Sequence, residues 1–171
     1  MTRARGGGRA ALLALPAVLA VVAPVIGDDA RNRLDELPSE RLVLETRADG
    51  HHEYRAWRAD TPETRARGLM YVAALADDQA MIFVYDEPQI VSMWMRNTYL
   101  PLDMLFVDAR GCIVSIAERT RPLSLASVES GSPVVLVVEI RGGGAAARGA
   151  KAGDRIRRPD AAWPPVTRGS C

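Results

Sequence analysis

Residues 81–107 read MIFVYDEPQIVSMWMRNTYLPLDMLFV, and this stretch decides the fold. It holds three short apolar runs, at 81–85, 90–95 and 102–107, with turn formers such as Pro88 between them. Runs of roughly four to eight apolar residues bounded by turn signals predict β-strands. Several of these runs are apolar at both alternating sets of positions, which predicts strands that are buried between two layers.

The same pattern continues on both sides of this stretch. Further apolar runs lie at 42–46, 53–59, 113–117 and 134–140, and Asp49-Gly50 carries the hairpin signal between the first two. Strands that recur every roughly 10 to 20 residues with Gly or Pro between them are typical of a sandwich or a barrel. Alternating strands and helices would instead predict an α/β fold, and this pattern does not favour that class.

One helix start stands among the strands. Thr61 can cap a helix, Pro62 suits the first helical position, and Gly68 can end the helix. We therefore predict a mainly β, single-domain protein, a β-sandwich or jelly-roll-like barrel with one short helix near residues 62–67.

The first 27 residues resemble a signal peptide. Arg3, Arg5 and Arg9 precede an apolar run at 10–26, and a basic start followed by such a run is the pattern of an export signal. We expect cleavage and a periplasmic or secreted protein. The alternative is an uncleaved segment that holds the chain at the membrane, which is the one membrane contact that we expect.

Composition divides the remaining chain into three parts. Residues 28–40 are polar and predict a linker, residues 41–156 hold the β domain, and residues 157–171 predict a disordered Pro-rich tail. The β domain is long enough for one core, and we expect a monomer.

Charge and cysteines bound the class of partner and the compartment. The net charge is +1, and it becomes −2 if the three arginines of the first 27 residues are removed. A near-neutral chain gives no electrostatic case for binding nucleic acid. Cys112 and Cys171 can pair in an oxidising compartment, or Cys112 can remain a small buried residue.

Short motifs follow one another along the domain: Gly68-Leu69-Met70, Met81-Ile82-Phe83, Trp94-Met95-Arg96-Asn97-Thr98, Pro101-Leu102-Asp103, Glu139-Ile140 and Gly153-Asp154. In this order they resemble the DUF192 family, whose members are small and often exported. The resemblance covers about residues 42–156 and implies a β-sandwich of jelly-roll type with little helix, with no accepted activity and no cofactor. Ala80 stands where the family commonly has Gly, and Tyr71 and Val72 stand where it often has a basic residue.

The motif around Trp94 supplies most of the candidate binding residues. Arg96, Asn97 and Thr98 lie where a predicted strand gives way to a loop, and the indole of Trp94 can act as a platform for a ligand. Asn and Thr side chains also bond readily to nearby backbone, so the alternative is a fixed turn without a ligand.

Asp103 and Glu139 complete the candidate site. Each is a single carboxylate beside an apolar run, Asp103 at the start of one predicted strand and Glu139 near the end of another. If the two strands are antiparallel neighbours, both carboxylates lie at the same end of the sheet. They can then act as an acid and a base, or each can be held by amides or basic groups and fix a loop.

Methionines suggest a third kind of site. Met93 and Met95 are two residues apart and would point the same way on a strand, as thioether ligands of Cu(I) do. Core packing is the alternative, because Met fills gaps between apolar side chains. Three further methionines could join such a site: Met70, Met81 and Met104.

No pattern for a nucleophile, a phosphate loop or a metal array accompanies these residues. His51 and His52 are adjacent and would point to opposite faces of a strand, so we predict no metal and no cofactor. The sequence favours a non-catalytic envelope binding or accessory module for an unknown ligand, such as a saccharide or a peptide. The alternatives are a hydrolase of envelope polymers that uses Asp103 and Glu139, and a Met-based copper-binding protein.

Overall fold

The structure is a computed structural model that describes Met1, residues 33–48, residues 50–161 and Cys171. The predicted signal peptide beyond Met1, the first part of the linker and most of the tail lie outside the described residues. The described elements are β1 (Ser39–Glu45), β2 (His51–Ala59), α1 (Pro62–Arg67), β3 (Gln79–Gln89), β4 (Ser92–Met93), β5 (Leu102–Val107), β6 (Ile113–Ala117), β7 (Val128–Glu129), β8 (Val134–Arg141), α2 (Gly144–Ala147) and β9 (Arg155–Arg157).

Seven strands form one sheet in the order β6-β5-β8-β3-β2-β1-β9, and β4 pairs with β7 in a small second sheet. All neighbours in the large sheet are antiparallel except β2 and β3, which are parallel. The large sheet curls until its two edges meet. At this closure Cys112 forms an isolated antiparallel β-bridge with Arg155, and the Ile113 N–H donates to the Asp154 carbonyl at 2.8 Å. The predicted mainly β sandwich or barrel is therefore confirmed.

The curled sheet buries apolar side chains on both faces. The inner cluster includes Leu44, Tyr54 and Leu105, and it reaches Ile113 and Ile156 at the two meeting edges. The outer cluster is formed by the opposite face of the same strands and by the loops that cover it. Its members include Trp57, Met81, Phe83, Met104, Phe106, Leu69 and Met95. This double burial explains why the strand sequences are apolar at successive positions.

The two predicted local signals give the expected elements. β1 and β2 form a hairpin in which the Thr46 N–H donates to the Gly50 carbonyl at 2.9 Å. In α1, Thr61 Oγ1 accepts from the Thr64 N–H at 3.2 Å, and Thr64 Oγ1 accepts from the Thr61 N–H at 3.0 Å. Both helices are short, and no helical segment of the described chain has the length and hydropathy that a membrane span requires.

The ordered domain extends beyond the predicted limits at both ends. Leu34 lies in the predicted linker but is buried in the outer cluster, so this residue packs with the domain. Arg158 lies in the predicted tail but is buried and forms a two-point ion pair with Glu40 of β1. A disulfide joins Cys112, just before β6, to Cys171.

Candidate functional site

Asp103 and Glu139 lie on neighbouring antiparallel strands but on opposite faces of the sheet. In the register of β5 and β8, Asp103 is opposite Ile140 and Met104 is opposite Glu139. Directly opposed residues share a face, and successive residues alternate between faces. The two carboxyls are thus at the same end of the sheet, as predicted, but the sheet separates them and the predicted acid–base pair does not form.

Asp103 is a structural residue on the inner face. Its side chain is fully buried and accepts N–H donors from Arg119 at 2.7 Å, Gly143 at 3.0 Å and Ala145 at 2.8 Å. These bonds tie two loops to the start of β5. All three donors are backbone N–H groups. Because the carboxylate is hydrogen-bonded within the protein and is buried, it is not accessible to a ligand.

Glu139 has the opposite environment on the outer face. Only 3% of the residue is exposed, and it lies between Met81 and Met104, its cross-strand neighbours. Within the described part of the chain, its carboxyl forms no hydrogen bond and no ion pair. Burial raises the pKa of Glu139 to about 8, so the carboxyl is mainly protonated at neutral pH.

A small pocket of about 240 Å³ opens above Glu139. The volume is below the roughly 300–1,000 Å³ of pockets for drug-sized ligands, so it suits one sugar unit or one amino-acid residue. The end of α1 and the following turn form one side, and β3 forms part of the floor. The other side is formed by residues 94–98, which follow β4 and are called the Trp94 loop. The lining comprises residues 65–70, Phe83, Tyr85, Ser92, Met93, Trp94, Arg96, Thr98 and Glu139.

The residues of the Trp94 loop are placed in two ways. Trp94, Arg96 and Thr98 line the pocket. Asn97 does not line it. Asn97 has a positive φ of 54°, its carbonyl accepts from the Tyr71 N–H at 2.8 Å, and its Nδ2 approaches Met70 Sδ at 3.8 Å. The structure therefore places Asn97 behind the pocket, where it fixes the turn.

The Trp94 platform is already covered on one face. The Arg96 guanidinium lies over the indole, 4.2 Å from the ring centroid. This stacking holds the arginine side chain against the loop. The tryptophan nevertheless stays 43% exposed, so its remaining surface is open to a ligand at the pocket mouth.

Arg65 and Arg67 are two residues apart on α1, a spacing at which helical side chains do not face one way. Both line the pocket, since the last turn of α1 sits at its mouth. Arg65 Nη1 donates to the carbonyls of Asp60 at 2.7 Å and Val84 at 2.9 Å, and its guanidinium lies 5.1 Å from the centre of the Tyr85 ring. The sequence signal that could have found them is the position of basic residues just before the Gly-Leu-Met motif.

Tyr85 lies in the pocket wall near Arg65 and Glu139. Burial raises the pKa of its hydroxyl, nearby Arg65 lowers this pKa, and Glu139 raises it further. The hydroxyl therefore stays neutral near pH 7, and it approaches Met93 Sδ at 4.0 Å. No sequence pattern singled out this tyrosine.

Met93 and Met95 do not share a site as the predicted copper ligands would, although Met70 lines the pocket together with Met93. Met93 is half-buried in the pocket wall, whereas Met95 is buried in the outer cluster and its Sδ accepts from Thr120 Oγ1 at 3.1 Å. Met81 and Met104 are fully buried. Among the described residues, no group of three or more His, Cys, Asp or Glu side chains could hold a metal ion.

A larger groove of about 640 Å³ lies elsewhere on the molecule. Its lining carries Arg41 and Glu53, whose side chains are 3.5 Å apart, and Arg58, which contacts Glu40 at 3.8 Å. Because these charges are paired with one another, the groove is the weaker candidate in spite of its size. The groove also carries the buried Tyr54 hydroxyl, which has no hydrogen-bond partner among the described residues, whereas the pocket above Glu139 holds an unpaired carboxyl.

The fold and the pocket define a small, mainly β domain with a pocket on the outer face of a curled sheet. The chain belongs to the DUF192 family, described as "Uncharacterized ACR", whose model matches residues 43–158. No curated protein matches the chain.

Two crystal structures are similar to this protein. One is from Sinorhizobium meliloti 1021 and is provisionally described as a transcription regulator; it is 39% identical, with a TM-score of 0.70, over 71% of this chain and 95% of that one. The other, of unknown function, is from Novosphingobium aromaticivorans DSM 12444; it is 33% identical, with a TM-score of 0.70, over 89% of this chain and 99% of that one.

Proposed function

We propose that this protein is an exported, non-catalytic binding module that takes a small polar ligand, or one unit of a saccharide or peptide, into the pocket above Glu139. The observation that carries the proposal is the Glu139 carboxyl, which is buried, faces the pocket and has no hydrogen-bond partner among the described residues. An unsatisfied buried polar group costs about 1–3 kcal/mol. A ligand that bonds to this carboxyl offsets that cost.

The separation of the two acids favours binding over hydrolysis. Hydrolases that work with two carboxyls place both around the scissile bond, roughly 5 to 9.5 Å apart across one open cleft. Here Asp103 is on the other face of the sheet and bonded to three backbone amides. Glu139 is the one carboxyl that the pocket lining contains.

Two features support an exported protein. The first 27 residues have the basic start and apolar run of a signal peptide. The disulfide between Cys112 and Cys171 is of the kind that persists in oxidising compartments. The near-neutral charge of the chain gives no electrostatic footprint for nucleic acid, so regulation of transcription is not part of the proposal.

A thermal-shift screen of the full-length protein tests the proposal. The panel holds monosaccharides, amino acids, short peptides, divalent cations and Cu(I). We expect one class of organic ligand to raise the melting temperature of the wild type and of Glu118→Gln, a control at an exposed position outside the pocket lining. The same ligand should not stabilise Glu139→Leu. Stabilisation by Cu(I) alone, or binding that survives Glu139→Leu unchanged, contradicts the proposal.

A further inference from the structure

The charges around the pocket are unbalanced. Three arginines line it, Arg65, Arg67 and Arg96, against the single acid Glu139. Arg65 is engaged with two carbonyls and the Tyr85 ring. Within the described chain, Arg67 and Arg96 are exposed and form no ion pair with any carboxylate.

Many other arginines of the domain are paired with acids. Carboxylates lie within 4.0 Å of the guanidinium groups of Arg41, Arg55, Arg58, Arg110, Arg141, Arg157 and Arg158. Among the described residues, Arg67 and Arg96 have no such carboxylate, and the same is true of the exposed Arg119 and Arg121 outside the pocket lining. Arg67 and Arg96 form a cationic entrance to a small chamber that both polar and apolar side chains line.

Arg96 is held in a position that suits a carboxylate. Its guanidinium lies over the Trp94 ring, 4.2 Å from the centroid, and the residue is exposed. A stacked, planar guanidinium loses little freedom when it binds, and its paired N–H donors match the two oxygens of a carboxylate. Arg67, at the end of α1, lies across the same mouth.

The base of the pocket suits a ligand group other than a carboxylate. Glu139 is deep, and its neighbours on the same face are Met81 and Met104. In its protonated form the carboxyl donates one hydrogen bond and accepts others, which suits a hydroxyl. A cationic ligand would instead have to pass the arginines at the mouth.

We propose that the ligand of this pocket is a sugar acid of hexuronate size, whose carboxylate binds Arg67 and Arg96 and whose hydroxyl groups reach the Glu139 carboxyl. This inference rests on the proposed binding function and names its ligand class. The pocket volume of about 240 Å³ accommodates a single unit of this kind, either free or at the end of a chain.

Binding should depend on pH through Glu139. The charged or titratable groups that line the pocket with it are Arg65 and Arg67 from α1, Tyr85 from β3 and Arg96 from the Trp94 loop. Burial raises the pKa of Glu139 to about 8, and burial also raises the pKa of the Tyr85 hydroxyl above its ordinary value of 10. Affinity for an anion should therefore be highest below pH 8 and fall as the pH rises through 8, because the ionised carboxyl repels it.

Calorimetric titration of the full-length protein tests this inference. Glucuronate and galacturonate are compared with glucose, galactose and glucosamine at pH 6.5 and pH 9. We expect a hexuronate to bind about tenfold or more tightly than its neutral aldose, and Arg96→Gln and Arg67→Gln each to lose about tenfold in affinity. Arg121→Gln is the matched control, because Arg121 is exposed and does not line the pocket. Glu139→Gln should abolish the pH dependence.

The outcomes separate the two levels of the argument. If a neutral sugar or an amino sugar binds as tightly as the acids, or if Arg67→Gln and Arg96→Gln bind like the wild type, the sugar-acid inference is overturned while a Glu139-dependent pocket stands. If neither acid binds, the sugar-acid inference is also overturned. If no organic ligand stabilises the wild type more than it stabilises Glu139→Leu, the proposed binding function itself fails.

Discussion

Asp103 and Glu139 are one register step apart, yet their carboxyls have opposite surroundings. Asp103 has three backbone donors within 3.0 Å, whereas Glu139 has none among the described residues. Substitution of Asp103 breaks hydrogen bonds within the protein, whereas substitution of Glu139 breaks none among the described residues. Their comparison therefore assigns the two roles.

Removing each carboxyl should give opposite results. Asp103→Ala leaves three buried N–H groups unpaired, and we expect the free energy of unfolding to fall by about 3 kcal/mol or more. Glu139→Gln removes no bond and also removes the ionisation that favours the unfolded chain. At pH 7 we therefore expect the free energy of unfolding to rise, by up to about 3 kcal/mol. Urea unfolding measures both. An Asp103→Ala variant as stable as the wild type would show that its carboxylate does not hold the loops.

The same carboxyl should make stability depend on pH. Burial raises the pKa of Glu139 from 4.5 to about 8, so between these values the native state binds a proton that the unfolded chain has lost. Stability therefore falls as the pH rises through this window, by up to about 1.4 kcal/mol per pH unit from this group. Unfolding curves of the wild type and Glu139→Gln from pH 5 to pH 9 test this. Parallel pH profiles would contradict the burial of the carboxyl.

At the scale of elements, α1 and its last residues decide where the pocket mouth lies. Gly68 ends the helix with a positive φ of 49°, and a Cβ there would lie 3.0 Å from Phe83 Cζ in the pocket floor. The glycine thus permits both the backbone turn and the close approach of α1 to β3. Arg67 is placed at the mouth by the same turn.

Gly68→Ala should therefore cost more than a glycine substitution in open space. Gly131 is a matched control, because its φ is 68° and an added Cβ meets nothing within 4 Å. Both variants place an L-residue at a positive φ. Gly68→Ala should incur a further loss, because its ψ of −136° lies outside the left-handed helical region and its Cβ meets Phe83. Thermal unfolding measures the difference. Equal losses would show that Phe83 moves aside freely.

The elements themselves were largely predictable from local sequence. The runs at 102–107 and 113–117 became β5 and β6 with the predicted limits, because turn residues bound each run. The run at 90–95 became only the two-residue β4, since Asn97 adopts a positive φ and the Met95 N–H donates to the Ser124 carbonyl. That partner lies in a distant loop, which local sequence does not specify.

The site was less predictable because it depends on register. Antiparallel pairing of β5 and β8 follows from two apolar runs, but a shift of one residue would have put Asp103 and Glu139 on the same face. The contributions of Arg65 and Arg67 depend in turn on how α1 docks against β3. Neither the register nor the docking is encoded in the spacing of these residues.

At the scale of the molecule, the disulfide links the start of β6 to Cys171 across 59 residues. A cross-link that closes so long a loop stabilises a protein by about 2–4 kcal/mol, chiefly by restricting the unfolded chain. Reduction with a thiol should therefore lower the unfolding midpoint of the wild type. A Cys112→Ser, Cys171→Ser double variant should already have the lower midpoint and show no response. A wild-type midpoint that does not change on reduction would contradict a stabilising bridge.

The central claim is that Glu139 is a buried carboxyl without a protein partner, open to a ligand. A carbon-13 NMR titration of its side-chain carboxyl, assigned by comparison with Glu139→Gln, tests this most directly. The account predicts a titration midpoint near 8, well above the ordinary value of 4.5 for a glutamate. A midpoint at the ordinary value would mean that the carboxyl is solvated or paired, and would contradict the claim.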